Sequence, residues 1–297
     1  MEHRKLFAIF GDPVAHSRSP LMHNTVFKNL KYPASYTRVH LKDGTKLRET
    51  FFSLCLDGAN ITVPHKEAAY KACDEIRGFA KNIGVVNTIV NEHGKLVGYN
   101  TDADGFMFAI KEFKKVKKIL VLGAGGTAKA LCTRFLQDDI KVIVLNRSEG
   151  RLPYFEKLGC ECYTWNDFIE EKYDLIVNTT SAGLKDENLP APQKIINTVL
   201  NNTKFVADAI YGKLTPFLKL AQEKNITFKD GADMLLGQGV LANQLFVNNE
   251  LKKEDINTFM KKKLSNLIYP FLELCNQKLT AFSKYSTLLT IAYRSYM

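Results

Sequence analysis

The chain has 297 residues, 45% hydrophobic and 24% charged, which is enough apolar surface for two compact domains with their own cores and too much for a disordered chain. Lysine and arginine exceed aspartate and glutamate by 10, but they are spread out and no nucleic-acid-reading motif accompanies them, so the charge points to anionic small molecules. The charged start is followed by only a short apolar run, Leu6 to Phe10, and six scattered cysteines (Cys55, Cys73, Cys132, Cys160, Cys162 and Cys275) read as reduced, so the expectation is a cytoplasmic protein with no secretory signal and no membrane span.

Leu6–Phe10 reads as a strand and enters a polar loop, Gly11-Asp12-Pro13-Val14-Ala15-His16-Ser17-Arg18-Ser19-Pro20, at a strand end where sites collect. In an extended loop the alternating Ser17 and Ser19 turn their hydroxyls the same way and can grip a carboxylate. Ser19 before Pro20 also reads as a helix N-cap with proline at the first helical position, and both readings can hold together. Leu21–Leu30 is expected as a helix, Gly58–Val63 as a strand ending at Pro64, and Lys66–Cys73 as a helix. Lys66 then lies near a helix N-terminus, where the dipole disfavours its charge while a nearby Asp102 favours it; that balance suits a group that passes a proton. Val85–Val90 with Lys95–Gly98 reads as a hairpin carrying Asn87 and Thr88, and Gly98-Tyr99-Asn100-Thr101-Asp102 leads to a connecting helix, Gly105–Phe113.

The second half opens on a dinucleotide fingerprint in context: the strand Ile119–Leu122, the turn Gly123-Ala124-Gly125-Gly126-Thr127-Ala128, then an apolar helix. Gly123 permits the turn, Gly125 lets the backbone approach a pyrophosphate, Ala128 lets helix and strand pack closely, and the helix N-terminal amides face the phosphates. The next strand, Val142–Leu145, ends in Asn146-Arg147-Ser148 with Arg151 beyond, where an NAD site usually has an acid. A carboxylate would repel an extra ribose phosphate, whereas two guanidinium forks attract one, so NADP is preferred over NAD. Leu175–Asn178, Phe205–Asp208 and Ile226–Phe228 complete a parallel, doubly wound pattern. His16, His23 and His65 lack metal-ligand spacing, and Cys160 and Cys162 have no second pair, so no metal is expected.

The motifs Ser-x-Ser-Pro, Asn-x-Thr-x-Pro-x-Lys, Val-Asn-Thr, Gly-x-Asn-Thr-Asp and Gly-x-Gly-Gly stand in the order found in the shikimate dehydrogenase family, which the chain resembles over roughly residues 6 to 264. Asn178-Thr179-Thr180-Ser181-Ala182-Gly183, Asp208-Ala209-Ile210-Tyr211, Thr215-Pro216-Phe217 and Gly231 to Gly239 extend the likeness. The resemblance implies an α/β protein with an N-terminal substrate domain (1–103 with 238–264), a Rossmann-like NADP domain (104–237) and an extension, 265–297, of no assigned role. It implies reversible reduction of 3-dehydroshikimate to shikimate with NADPH, on the route to chorismate and aromatic amino acids. Lys66 and Asp102 are the implied catalytic pair. Ser17 and Ser19 would hold the carboxylate, Thr62, Asn87, Asp102 and Gln238 the ring hydroxyls, and Tyr211 would lie near substrate. Gly123, Ala124, Gly125, Gly126 and Thr127 would hold the pyrophosphate, Asn146, Arg147, Ser148 and Arg151 the adenosine ribose phosphate, and Ala209 and Gly231 the nicotinamide. Val85, where the family commonly has alanine, and Gly78, where some members have an acid, are departures. A dehydrogenase accepting quinate and NAD, and a silent shikimate- and NADP-binding regulator, are the alternatives; a homodimer stays open.

Arg147→Ala is expected to raise the KM for NADPH while sparing any activity with NADH. Equal losses with both cofactors would count against phosphate recognition at this position.

Overall fold

Alternation along the apolar strands sorts the core into faces. In the first strand Phe7 and Ile9 enter one buried cluster while Ala8 and Phe10 enter another, and in the dinucleotide strand Ile119 and Val121 part company in the same way from Leu120 and Leu122. Each strand is therefore sandwiched between helices, which is why it reads as a continuous hydrophobic run. The structure, a computed structural model, describes residues 4–268; residues 269–297, most of the extension, lie outside the described residues.

The first half comprises β1 (Lys5–Gly11), α1 (Ser19–Asn29), β2 (Ala34–His40), α2 (Leu47–Ser53), β3 (Gly58–Ile61), α3 (Lys66–Ala72), β4 (Glu75–Ile76), α4 (Ala80–Ile83), β5 (Thr88–Glu92) and β6 (Lys95–Tyr99). These strands form a six-stranded sheet in the order β2-β1-β3-β5-β6-β4. β1, β2 and β3 are parallel, and β5 runs antiparallel to both β3 and β6. After α5 (Asp102–Ile110) come β7 (Lys118–Leu122), α6 (Gly126–Gln137), β8 (Lys141–Asn146), α7 (Leu152–Leu158), β9 (Glu161–Thr164) and β10 (Tyr173–Asn178). α8 (Gln193–Asn201), β11 (Thr203–Asp208), α9 (Pro216–Glu223) and β12 (Thr227–Lys229) follow. This second sheet is parallel throughout, in the order β12-β11-β10-β7-β8-β9.

The chain then runs through α10 (Ala232–Phe246) to α11 (Lys253–Ile268). Leu236, Val240 and Phe246 of α10 and Ile256, Met260 and Leu264 of α11 join Phe7, Met22 and Val26 in the core of the first sheet. α5 and α10 cross at van der Waals limit where Gly105 faces Gly237 and Gln238: a Cβ on Gly105 would sit 2.6 Å from the Gln238 backbone nitrogen.

Three local expectations are corrected. The strand at Gly58 stops at Ile61, leaving Thr62 and Val63 in a loop, and the hairpin begins at Thr88, with Val85–Asn87 a buried connector. Ser19 is not the N-cap of α1: Arg18 holds that position, with no side-chain cap bond, and the Ser19 hydroxyl lies buried inside the first turn. β2, β4 and β9 had no expected counterpart.

Gly105→Ala forces α5 and α10 apart and is expected to lower the unfolding free energy by about 1–3 kcal/mol. Urea midpoints check this against Gly150→Ala, where the added methyl meets open space and no change is expected.

Candidate active site

Strand direction in the first sheet gathers the candidate residues along one edge. The ends of β1, β3 and β6 and the start of β5 lie there, because β5 is antiparallel to its neighbours. Ser17 and Ser19 follow β1, Thr62 and Lys66 follow β3, Asn87 precedes β5, and Asp102 follows β6. Lys66 Nζ donates to Asp102 Oδ2 at 2.5 Å, with the two side chains only 12% and 9% exposed. Such a pair, shielded from water, keeps its geometry because either partner alone would be an uncompensated buried charge.

Asn87 fixes the Asp102 side of this pair. Its Oδ1 accepts from the Thr101 backbone N–H at 2.9 Å, and its Nδ2 donates to the Thr101 hydroxyl at 3.0 Å. The Asp102 N–H donates to Asn100 Oδ1 at 3.1 Å, and the Lys66 carbonyl accepts from Val86 N–H at 3.0 Å. The connector 85–87 thus ties both members of the pair to one another. Ser17 and Ser19, both buried, place their hydroxyl oxygens 3.3 Å apart, and Thr62 packs against Gly11, the residue that opens the loop.

In the second sheet the turn after β7 carries Gly123 at φ 101°, a left-handed conformation suited to glycine, and a Cβ there would strike Thr180. Gly125 stands at the N-cap of α6 with no side-chain cap, so the first amides of a twelve-residue helix are left for an anion. Asn146 ends β8, and Arg147, Ser148 and Arg151 follow it, exposed; the Asn146 amide donates to the Ser148 carbonyl at 2.8 Å. Ala209 and Gly231 touch, since a Cβ on Gly231 would lie 2.3 Å from the Ala209 carbonyl. Gln238 sits at the α5–α10 crossing, its amide donating to the Leu235 carbonyl at 3.0 Å.

The two sheets meet at these loops. A Cβ on Gly126 would be 3.7 Å from the Lys66 Cδ and 3.8 Å from Val85, which fills a small apolar patch with Ile83, Ala103 and Ala130 between them. Lys129 of α6 pairs with Glu67 of α3 at 2.7 Å; this bond, followed by the fields of Lys129 and Arg151, outweighs desolvation and holds the Glu67 carboxyl below its ordinary range. Tyr211 comes from the second half toward the serine loop: burial pushes its phenol up, while the Arg18 peptide and the charges of Arg18 and Arg38 oppose that rise. Sequence reasoning placed Asn100 and Thr101 in the Gly-x-Asn-Thr-Asp motif without giving either a role, and it missed Arg38, whose tertiary bond to the Ser17 carbonyl no local pattern announces.

A dinucleotide-type turn set against a buried lysine–aspartate pair is the build of a nicotinamide-dependent oxidoreductase on a Rossmann-type α/β fold. Residues 9–89 match the family described as shikimate dehydrogenase substrate binding domain. The NADP(+) shikimate dehydrogenases of Helicobacter hepaticus and Helicobacter pylori are 43% and 42% identical, over 84% and 83% of this chain and 94% of each relative. Shikimate dehydrogenase from Aquifex aeolicus superposes with a TM-score of 0.78 at 33% identity, covering 87% of this chain and 98% of that one. The shikimate 5-dehydrogenase from Thermus thermophilus in complex with NADP(H) and shikimate gives 0.74 at 30% identity, covering 87% and 99%. The chain belongs to the shikimate dehydrogenase family.

Asp208, at the end of β11, supports the loop that bears Ala209 and Tyr211. Its carboxyl accepts from Ile210 N–H at 2.9 Å, the Thr215 hydroxyl at 2.8 Å and the Asn178 amide at 3.1 Å, yet burial lifts its pKa from 3.8 to about 6. A raised carboxyl pKa means that its stabilising contribution is full below pH 3.8 and is lost as pH rises through about 6. At about 1.4 kcal/mol per pKa unit the effect is on the order of 3 kcal/mol. In Asp208→Asn this component is absent, so the stability of the variant relative to the original protein is expected to rise between pH 4 and 7, measured by urea unfolding at each pH.

Proposed function

We propose that the protein catalyses the reversible NADPH-dependent reduction of 3-dehydroshikimate to shikimate, with Lys66 as proton donor and acceptor and Asp102 as its partner. The observation that carries this reading is the 2.5 Å Lys66–Asp102 bond with the Lys66 stem lying against Gly126 of the dinucleotide turn. The relatives named above, one of them in complex with NADP(H) and shikimate, support it. So does the division of cores, with residues 1–103 and 238–264 as the substrate domain and 104–237 as the cofactor domain.

The residues present fit the cofactor: an uncapped helix N-terminus behind a glycine turn for the pyrophosphate, and Arg147 and Arg151, with no acid at Asn146, for the ribose phosphate. Ala209 and Gly231 would flank the nicotinamide. NADPH, when bound, supplies the hydride. Ser17, Ser19 and Tyr211 hold the substrate carboxylate at one end, and Thr62, Asn87, Asp102 and Gln238 set the ring hydroxyls, so that the keto carbon faces the dinucleotide turn. As negative charge grows on the keto oxygen, the Lys66 ammonium offsets it and passes a proton from Nζ to that oxygen; in the reverse direction the amine takes it back. Asp102 keeps the ammonium in place and accepts from a neighbouring substrate hydroxyl. The seclusion of the pair from bulk water strengthens both interactions.

Absorbance of the reduced nicotinamide, followed with shikimate or quinate and with NADP or NAD, tests the reading. Turnover is expected with shikimate and NADP; turnover with quinate or NAD would widen the specificity, and silence with binding intact would leave a regulator. Lys66→Ala is expected to lower kcat by about two to four orders of magnitude while changing the shikimate KM only a few-fold. A variant that keeps turnover within a few-fold of the original removes the proton-transfer role.

A further inference from the structure

Arg38 lies on β2, the edge strand of the first sheet, outside every motif described above. Its guanidinium donates twice to one acceptor, the Ser17 carbonyl, from Nε at 3.2 Å and from an Nη at 2.6 Å. Ser17 also closes a tight turn, its N–H donating to the Val14 carbonyl at 3.0 Å, and its Oγ accepts from the Ser19 N–H at 3.3 Å. Between this turn and the guanidinium fork the peptide of Ser17 has little freedom left. Its hydroxyl and that of Ser19, both buried, therefore point where the loop backbone aims them.

Charge converges on the same place. Arg18 from the loop, Arg38 from β2 and Lys185 from the segment after β10 all act on His16, whose pKa is lowered first by burial and then by these three cations. Arg18 and Arg38 also act on the Tyr211 phenol. Among the described residues no carboxylate forms an ion pair with Arg18, Arg38 or Lys185, so the charge of each is left uncompensated within the chain. Three cations drawn from three separate segments repel one another, and a bound anion is what relieves that repulsion.

We propose that Arg38 is the positioning residue of the carboxylate pocket: it clamps the Ser17 carbonyl so that the Ser17 and Ser19 hydroxyls converge on the substrate carboxylate, and with Arg18 and Lys185 it provides the positive field that selects an anion. This rests on the functional reading above. Arg38 touches no reacting atom, so its loss weakens substrate binding and leaves proton and hydride transfer intact. Lysine in its place keeps the charge but loses the planar fork.

The test uses the full chain with Arg38→Ala and Arg38→Lys. Arg38→Ala is expected to raise the KM for 3-dehydroshikimate about tenfold, with kcat within about twofold and the KM for NADPH unchanged. In calorimetry the preference for shikimate over its uncharged methyl ester shrinks in Arg38→Ala, and Arg38→Lys retains the ionic-strength dependence of shikimate binding while affinity stays reduced. Unchanged substrate KM, or equal losses for shikimate, the ester and NADPH, overturns the proposal. If Arg38→Ala does not fold, Arg38→Lys decides: affinity equal to that of the original protein overturns the clamp. Failure of the original protein to turn over shikimate falls on the functional reading instead, and the calorimetric comparison of shikimate with its ester still judges Arg38.

Discussion

A lysine and an aspartate held 2.5 Å apart and shut away from water are the constraint around which the molecule is arranged. Taking both charges out of solvent is unfavourable, and the attraction between them compensates only if the geometry is fixed and the neighbouring polar groups are satisfied. The first sheet meets that requirement. Lys66 and Asp102 stand at the starts of α3 and α5, and the connector 85–87 is bonded to the Lys66 carbonyl and to Thr101, the residue before Asp102. Asn87 spends its amide on Thr101, so its part in the site is first to hold Asp102 in place.

The second constraint is that a nucleotide-binding turn must reach this pair. The strands of the second sheet all point one way, so their following loops collect at one end, and the crossing of α5 with α10 brings that end to the pair. The crossing is close because neither Gly105 nor Gly237 has a side chain to keep the helices apart. Contacts between the halves include Gly126 on Lys66, Lys129 with Glu67, the Tyr154 hydroxyl on the Ile83 carbonyl, and the apolar patch of Ala130 with Ile83 and Val85.

Much of this was legible in the residues. The central second-sheet strands β7, β8 and β10 are largely buried, so each reads as an apolar run, and the glycine turn declares itself between strand and helix. β2 was not legible: as an edge strand it buries only Tyr36, and its remaining residues alternate too weakly to mark a strand. Ser19 misled because Ser-Pro commonly caps a helix, whereas here the buried hydroxyl approaches the Tyr36 phenol, which itself donates to Asn60. Arg38 acts on a carbonyl 21 residues away, a relation that exists only after folding.

The contact between Gly126 and the Lys66 stem makes the dinucleotide turn and Lys66 two faces of one wall. With the roles proposed above, movement of that wall would disturb pyrophosphate binding and proton transfer together, so it is poor ground for evolutionary drift. The end of β8 is different: Arg147, Ser148 and Arg151 are exposed. With the roles proposed above, cofactor preference can diverge at these exposed side chains without replacing Lys66 or Asp102. The fold separates the part of the protein that can be retuned from the part that must be inherited whole.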